Sequence, residues 1–209
     1  MIAIIKIVKE PILPRVSKAA KEKTHENLLE NAAQQLRLNG YAGLNLSEVM
    51  TSAGMTHGGF YRHFKNKEDL AISATRRAFD AYTSRLEHDL ETMSARDALG
   101  CFVERYLSMK HVQNPAGGCP VAALSGDVHR CSAAERTALE TGTRSLIALI
   151  DTALAGCTPP IQMSGAALLG ALAGALNLAR LQTQAAEQEA ILVAAQRHMR
   201  VVGVLPNTL

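Results

Sequence analysis

The residues best suited to chemistry form one stretch, Thr56-His57-Gly58-Gly59-Phe60-Tyr61-Arg62-His63-Phe64-Lys65-Asn66-Lys67. It reads as a capped helix with a basic exit. Thr56 is a good N-cap, and two glycines in the first turn leave the backbone N–H groups and the positive dipole end open to an anion. Phe60 and Phe64 lie four residues apart and can anchor one face, which leaves His57, Tyr61 and Lys67 to point outward. The anion such a helix suits is DNA phosphate. The plainer reading of the same residues is an aromatic core helix with solvated lysines.

The element that must position this helix precedes it. Asn45-Leu46-Ser47-Glu48-Val49-Met50-Thr51-Ser52-Ala53-Gly54-Met55 predicts a short helix with a capping-box start, Asn45 to Glu48, ending at Gly54. Helix, glycine turn, helix is a helix-turn-helix. Upstream, Leu28, Leu29, Ala32, Ala33 and Leu36 form one stripe of a helix that Gly40 stops.

Gly40-Tyr41, Leu46 to Met50 and the run Ala53 to Leu70 together resemble the TetR family of bacterial transcriptional regulators. The resemblance covers about residues 24–70 and is gap-free. His25, Leu36 and Leu44-Asn45 depart from the residues usual in that family, which bears on individual phosphate contacts and not on the fold. The resemblance implies that Ser47, His57, Gly58 and Gly59 face base edges, while Thr56, Tyr61, His63 and Lys67 hold phosphates. Short polar tips at Ser47 and His57 suit the major groove, and Tyr61 and Lys67 are long donors suited to phosphate oxygens. Arg62 can reach either a guanine or a phosphate.

Composition limits the rest. The 209 residues allow a small DNA-binding module and a larger domain with its own core, 47% of residues are hydrophobic, and seven prolines without regular spacing argue against an all-β sandwich. The net charge of +3 lies entirely in the first third: residues 1–70 carry ten Lys/Arg against seven Asp/Glu, and the remainder twelve against twelve. A nucleic-acid-binding head on a neutral body fits that asymmetry.

The expected organisation is an N-terminal extension and basic arm (1–23), a three-helix DNA-binding domain (24–70) and an all-helical effector-binding and dimerisation domain (71–209). The opening Met-Ile-Ala-Ile-Ile run is broken by Lys6 and Lys9 before it could act as a signal peptide or membrane span, so a cytoplasmic protein is expected. Arg15, Lys18, Lys21 and Lys23 read either as a solvated arm or as one along the phosphate backbone. Beyond Lys67 a long helix is predicted to about Leu90, followed by helices near 95–112, 119–130, 133–155, 162–182 and 184–203.

In the body, Phe102, Arg105, Tyr106 and Met109 share a helical face and, with Cys101, Cys119 and Ala123, are the expected effector-binding residues. Cys119 next to a helix start suggests a second possibility, a thiol sensor of oxidants or electrophiles. The four cysteines form no C-x-x-C pair and the histidines are scattered, so no metal site is expected. No nucleophile elbow, phosphate loop, dinucleotide fingerprint or His-Glu-x-x-His occurs, so neither an enzyme nor a cofactor is expected.

All eight Phe and Tyr residues precede position 107, leaving the last half to pack with small and aliphatic side chains. Gly165, Gly170 and Gly174 on one helix, with Leu192 and Met199 on the last, are expected at an interface that the resemblance makes half of a four-helix bundle in a homodimer. The partners expected are a palindromic double-stranded DNA operator, a second copy of the chain, and a small-molecule effector that releases this homodimeric repressor from the operator. An architectural DNA-binding protein, with no cavity in its body, is the remaining alternative.

Overall fold

The computed structural model describes residues 18–55 and 57–206, with the side chains of residues 18–20 and 57 outside the description. Ten α-helices and two short 3-10 turns build it: α1 (Lys18–Gly43), α2 (Leu46–Ser52), α3 (His57–Phe60), α4 (Lys67–Thr92), α5 (Ala95–Tyr106), α6 (Met109–Gln113), α7 (Pro120–Leu124), α8 (Ala133–Ala155), α9 (Gly165–Arg180) and α10 (Ala185–Val201). The 3-10 turns, Pro115–Gly117 and Ser125–Asp127, flank α7. No described helix is long and apolar enough to cross a membrane.

Most helix starts are set by side-chain caps. Asn66 accepts from the Asp69 amide at 2.8 Å to begin α4, Ser94 and Ser108 cap α5 and α6, and Ser132 forms a full capping box with Glu135 on α8. At Asn45 the box is incomplete. Its side-chain Oδ1 accepts from Ser47 N at 3.0 Å, but the Glu48 carboxylate accepts from Asn45 Nδ2, and the Asn45 N–H donates to Gln35 Oε1 on α1 instead. The helix-turn-helix is thereby tied to α1 at its first residue.

One apolar core runs through the molecule. Leu28, Ala32 and Leu36 of α1 meet Val49, Phe60 and Phe64 of the head, and continue through Leu70, Ala74 and Phe79 of α4 to Leu146 and Ile150 of α8. Helix α4, about 39 Å long at 1.5 Å per residue, crosses the predicted boundary at residue 70 without a break. Phe79 packs so closely on Gly142 of α8 that a Cβ there would lie 2.2 Å from the ring.

Three expectations change. The region 95–112 is two helices, because Leu107 adopts a non-helical conformation and Ser108 restarts the chain. The helix expected near 119–130 is only the five residues of α7 and a 3-10 turn. The basic arm is already helical from Lys18, where α1 begins, while residues 1–17 of the extension lie outside the described residues.

Candidate nucleic-acid interface and body cavity

The head exposes Ser47 in the first turn of α2, Gly58 on α3, Tyr61 and Arg62 in the turn that follows, and Lys67 at the start of α4. Phe60 and Phe64 hold this surface from below, 0% and 4% exposed, whereas Tyr61 between them is 64% exposed. Helix α3 is a single α-turn that tightens afterwards, with Arg62 N bonding Gly59 O at 3.2 Å and His63 N bonding Phe60 O at 2.8 Å. Among the described residues no side chain stands near the position a Cβ would take on Gly58, so a surface can approach its backbone there. Gly59 is half-buried. Thr56 lies outside the described residues, and so does the side chain of His57, the first residue of α3.

His63 differs from the expectation. Its ring stacks on His25 of α1 with centroids 5.3 Å apart and the Nδ1 atoms 3.3 Å apart. Burial pushes its pKa down, and the neighbouring His25, Lys21 and Arg62 push the same way. The stacked imidazole ties the turn to α1. Its partner, His25, is one of the departures from the family pattern.

In the body, Tyr82, Arg85 and Leu86 of α4, Phe102 and Arg105 of α5, Ser108, Lys110 and His111 around α6, and Asn114 and Gly117 of the following turn line a cavity of about 370 Å³ that opens to solvent. Arg105 is paired with Asp89, Nη2 to Oδ2, at 2.6 Å. Of the expected effector residues, Phe102 and Arg105 line this cavity. Tyr106 and Cys119 are buried behind it, 1% and 0% exposed. Cys101, Met109 and Ala123 are half-buried and outside its wall. The spacing of Tyr82, Arg85 and Leu86 on the long helix carried the missed half of the wall, but that helix reads first as a connecting rod.

His111 joins the cavity to the backbone of Cys119. Its Nδ1–H donates to Tyr106 O at 2.9 Å and its Nε2 accepts from the Cys119 amide at 3.0 Å, which fixes the neutral tautomer. Burial pushes its pKa down to about 4, against the hydrogen bond to Tyr106 and aided by Arg180. Arg180 Nη2 in turn donates to His111 O at 2.8 Å. Burial also pushes the Cys119 thiol up, outweighing the Tyr106 hydroxyl, the Ala122 and Val121 amides and the Tyr82 hydroxyl, which pull it down. The low-pKa thiolate expected at this helix start is therefore not what the closed body holds. Tyr106 Oη faces the sulfur but makes no well-formed hydrogen bond of its own.

The same segment reaches the head. Arg37 of α1, only 7% exposed, donates through Nε to Ala116 O, between the cavity-lining Asn114 and Gly117. Asp127, in the second 3-10 turn, accepts from the Tyr41 amide at 3.0 Å. Gly40 makes that approach feasible: its φ is +69°, and a Cβ would fall 1.8 Å from Asp127 Oδ2.

On the last two helices, the expected interface residues divide. Gly170 and Gly174 of α9 face open space, in line with exposed Leu178 and Leu181. Gly165 is closed in by Ile147 O and Asp151, and Leu192 and Met199, each 2% exposed, are buried in the protomer's own core. These three belong to internal packing, because the apolar stripe of α10 that sequence reveals is the one facing its own subunit; Val193 and Val201 are exposed instead.

Residues 28–74 match the family described as bacterial regulatory proteins, tetR family. The HTH-type transcriptional repressor NemR of Escherichia coli (strain K12) is 30% identical over 141 residues, covering 66% of this chain and 71% of NemR. The fatty acid metabolism regulator protein of Bacillus subtilis (strain 168) is 28% identical over 90 residues, 43% of this chain and 46% of that protein. The crystal structure of the reduced form of E. coli NemR superposes with a TM-score of 0.70 and 25% identity, over 84% of this chain and 96% of that one.

Proposed function

The chain belongs to the tetR family of bacterial regulatory proteins, and on that premise we propose that it is a homodimeric repressor released from a palindromic operator when a small molecule fills the body cavity. The chain is a DNA-binding regulator of transcription and not an enzyme. The observation that carries the release mechanism is one segment with two duties: Asn114 and Gly117 line the cavity, and Ala116 between them holds Arg37 of α1. A ligand that displaces the segment changes how the head is held, and it lowers the DNA-competent population by its differential affinity for the two states.

In a dimer, two heads must reach successive major grooves about 34–36 Å apart, so small tilts of α4 are enough to break the fit. Ser47, His57, Gly58 and Gly59 are assigned to base edges, and Thr56, Tyr61, Arg62 and Lys67 to phosphates, with His63 as their support. The partner copy is assigned to the exposed face of Gly170, Gly174, Leu178 and Leu181. The presence of a cavity favours ligand control over an architectural role. The test is Arg37→Ala: operator binding should persist while effector-induced release is lost, and release at the wild-type ligand concentration would overturn the coupling.

A second reading is favoured by the Cys119–His111 hydrogen bond, since modification of the thiol would disturb the same segment. The NemR structure compared above is of a reduced form. The closed, buried thiol must open before it reacts. Reversible loss of DNA binding on electrophile treatment, abolished in Cys119→Ser, is what this reading requires. Unaltered binding after complete modification of Cys119 would remove it.

A further inference from the structure

We propose that the body cavity takes an organic anion, a carboxylate carried on a compact apolar body; this rests on the reading of that cavity as the effector site. Three cationic side chains converge on it from three separate helices: Arg85 of α4, Arg105 of α5 and Lys110 of α6. No carboxylate is among the lining residues. Asp89, behind the wall, pairs with Arg105 alone, and Arg85 and Lys110 have no ion pair among the described residues. Two uncompensated positive charges therefore border a cavity whose far wall is Tyr82, Leu86 and Phe102, with Tyr82 and Phe102 edge to face at 6.3 Å.

The neutral polar groups of the wall narrow the ligand further, because their acceptors are already used. His111 spends Nδ1 on Tyr106 O and Nε2 on the Cys119 amide. Ser108 Oγ accepts from the His111 amide at 3.2 Å and donates to Arg105 O, and Asn114 Oδ1 receives the Gly117 amide. What remains free is chiefly donor capacity: the guanidinium of Arg85, the unpaired N–H groups of Arg105, the Lys110 ammonium and the Asn114 amide nitrogen. A cationic ligand would meet repulsion here, and a neutral donor would find few acceptors. A carboxylate answers these donors with paired acceptors, most strongly with the guanidinium groups. The cavity volume lies at the small end of ligand pockets, which suits a single aromatic or short aliphatic body.

Binding in this pose would draw Lys110 and Asn114 toward the ligand. Those residues lead into the segment that holds Arg37, so an anion is a ligand able to move the segment and not only to fill space.

The test is calorimetric titration of the full-length chain with three probe pairs: benzoate and benzamide, 1-naphthoate and 1-naphthamide, hexanoate and hexanamide. At least one acid should bind ten-fold or more tightly than its amide, and the preference should shrink as salt rises. Arg85→Gln with Lys110→Gln, which leaves only Arg105 as a cation, should shrink the preference at least three-fold. Both side chains are exposed, and an unchanged melting temperature verifies that the variant is folded. Amides binding as tightly as acids, or an acid preference undiminished in the double variant, would overturn the anion proposal and leave the effector cavity standing. Binding of no probe by the wild-type chain would overturn the proposal, and failure of Arg37→Ala to uncouple release would separately remove the effector reading.

Discussion

The Asp127 carboxylate accepts the Tyr41 amide at 3.0 Å, so a residue of the body closes the helix that supports the DNA-binding head. The contact depends on Gly40, whose left-handed φ turns the Tyr41 N–H toward the acid. Asp127→Ala should therefore destabilise the fold by about 1.5–3 kcal/mol, the range for a hydrogen bond to a charged group. Gly40→Ala should cost at least about 1 kcal/mol from its φ alone, plus the clash. In urea unfolding the double variant should lose less than the sum, since removing Asp127 removes the clash.

The stability of the body should depend on His111 below neutrality. Its folded pKa, about 4, is below the ordinary value of 6.5, so the unfolded chain binds the extra proton between the two. Its contribution is fully present above pH 6.5, falls as pH drops toward 4, and changes no further below that. Over the window about 3 kcal/mol is at stake. Unfolding of His111→Gln beside the wild type should show a shallower pH slope confined to that interval.

Most of the head was legible because its signals are local. The cap at Asn45, the glycine turn, and the four-residue spacing of Phe60 and Phe64 each operate within one or two turns of chain. The stacking of His63 on His25 was not legible, because His25 is 38 residues away. The cavity was half-legible for the same reason. Phe102 and Arg105 share a helical face, whereas Tyr82, Arg85 and His111 reach the site only after α4 and α6 pack. The break at Leu107, the shortness of α7 and the buried state of Cys119 are tertiary facts that no periodicity encodes.

Phosphate and base contacts should separate in binding experiments. Tyr61→Phe and Lys67→Gln should weaken binding about equally for operator and unrelated DNA, and Lys67→Gln should reduce the salt slope by roughly one. Ser47→Ala should instead change the preferred base at one position of each half-site. Fluorescence anisotropy at several salt concentrations distinguishes these patterns.

Association should follow the exposed face and not the buried one. Leu178→Glu with Leu181→Glu, at residues 55% and 75% exposed, should give a folded monomer in sedimentation and lose operator affinity. Leu192→Ala and Met199→Ala should leave the dimer intact while costing about 2–5 kcal/mol each, as core truncations do. A dimer that survives both glutamates would place the interface elsewhere.

The most direct measurement is selection of bound fragments from random DNA by the reduced, ligand-free protein at about 150 mM salt, where phosphate-only binding is strongly weakened. The account predicts a palindrome whose half-sites lie about one helical turn apart, or a multiple of it. Fragments recovered with no shared sequence would contradict it.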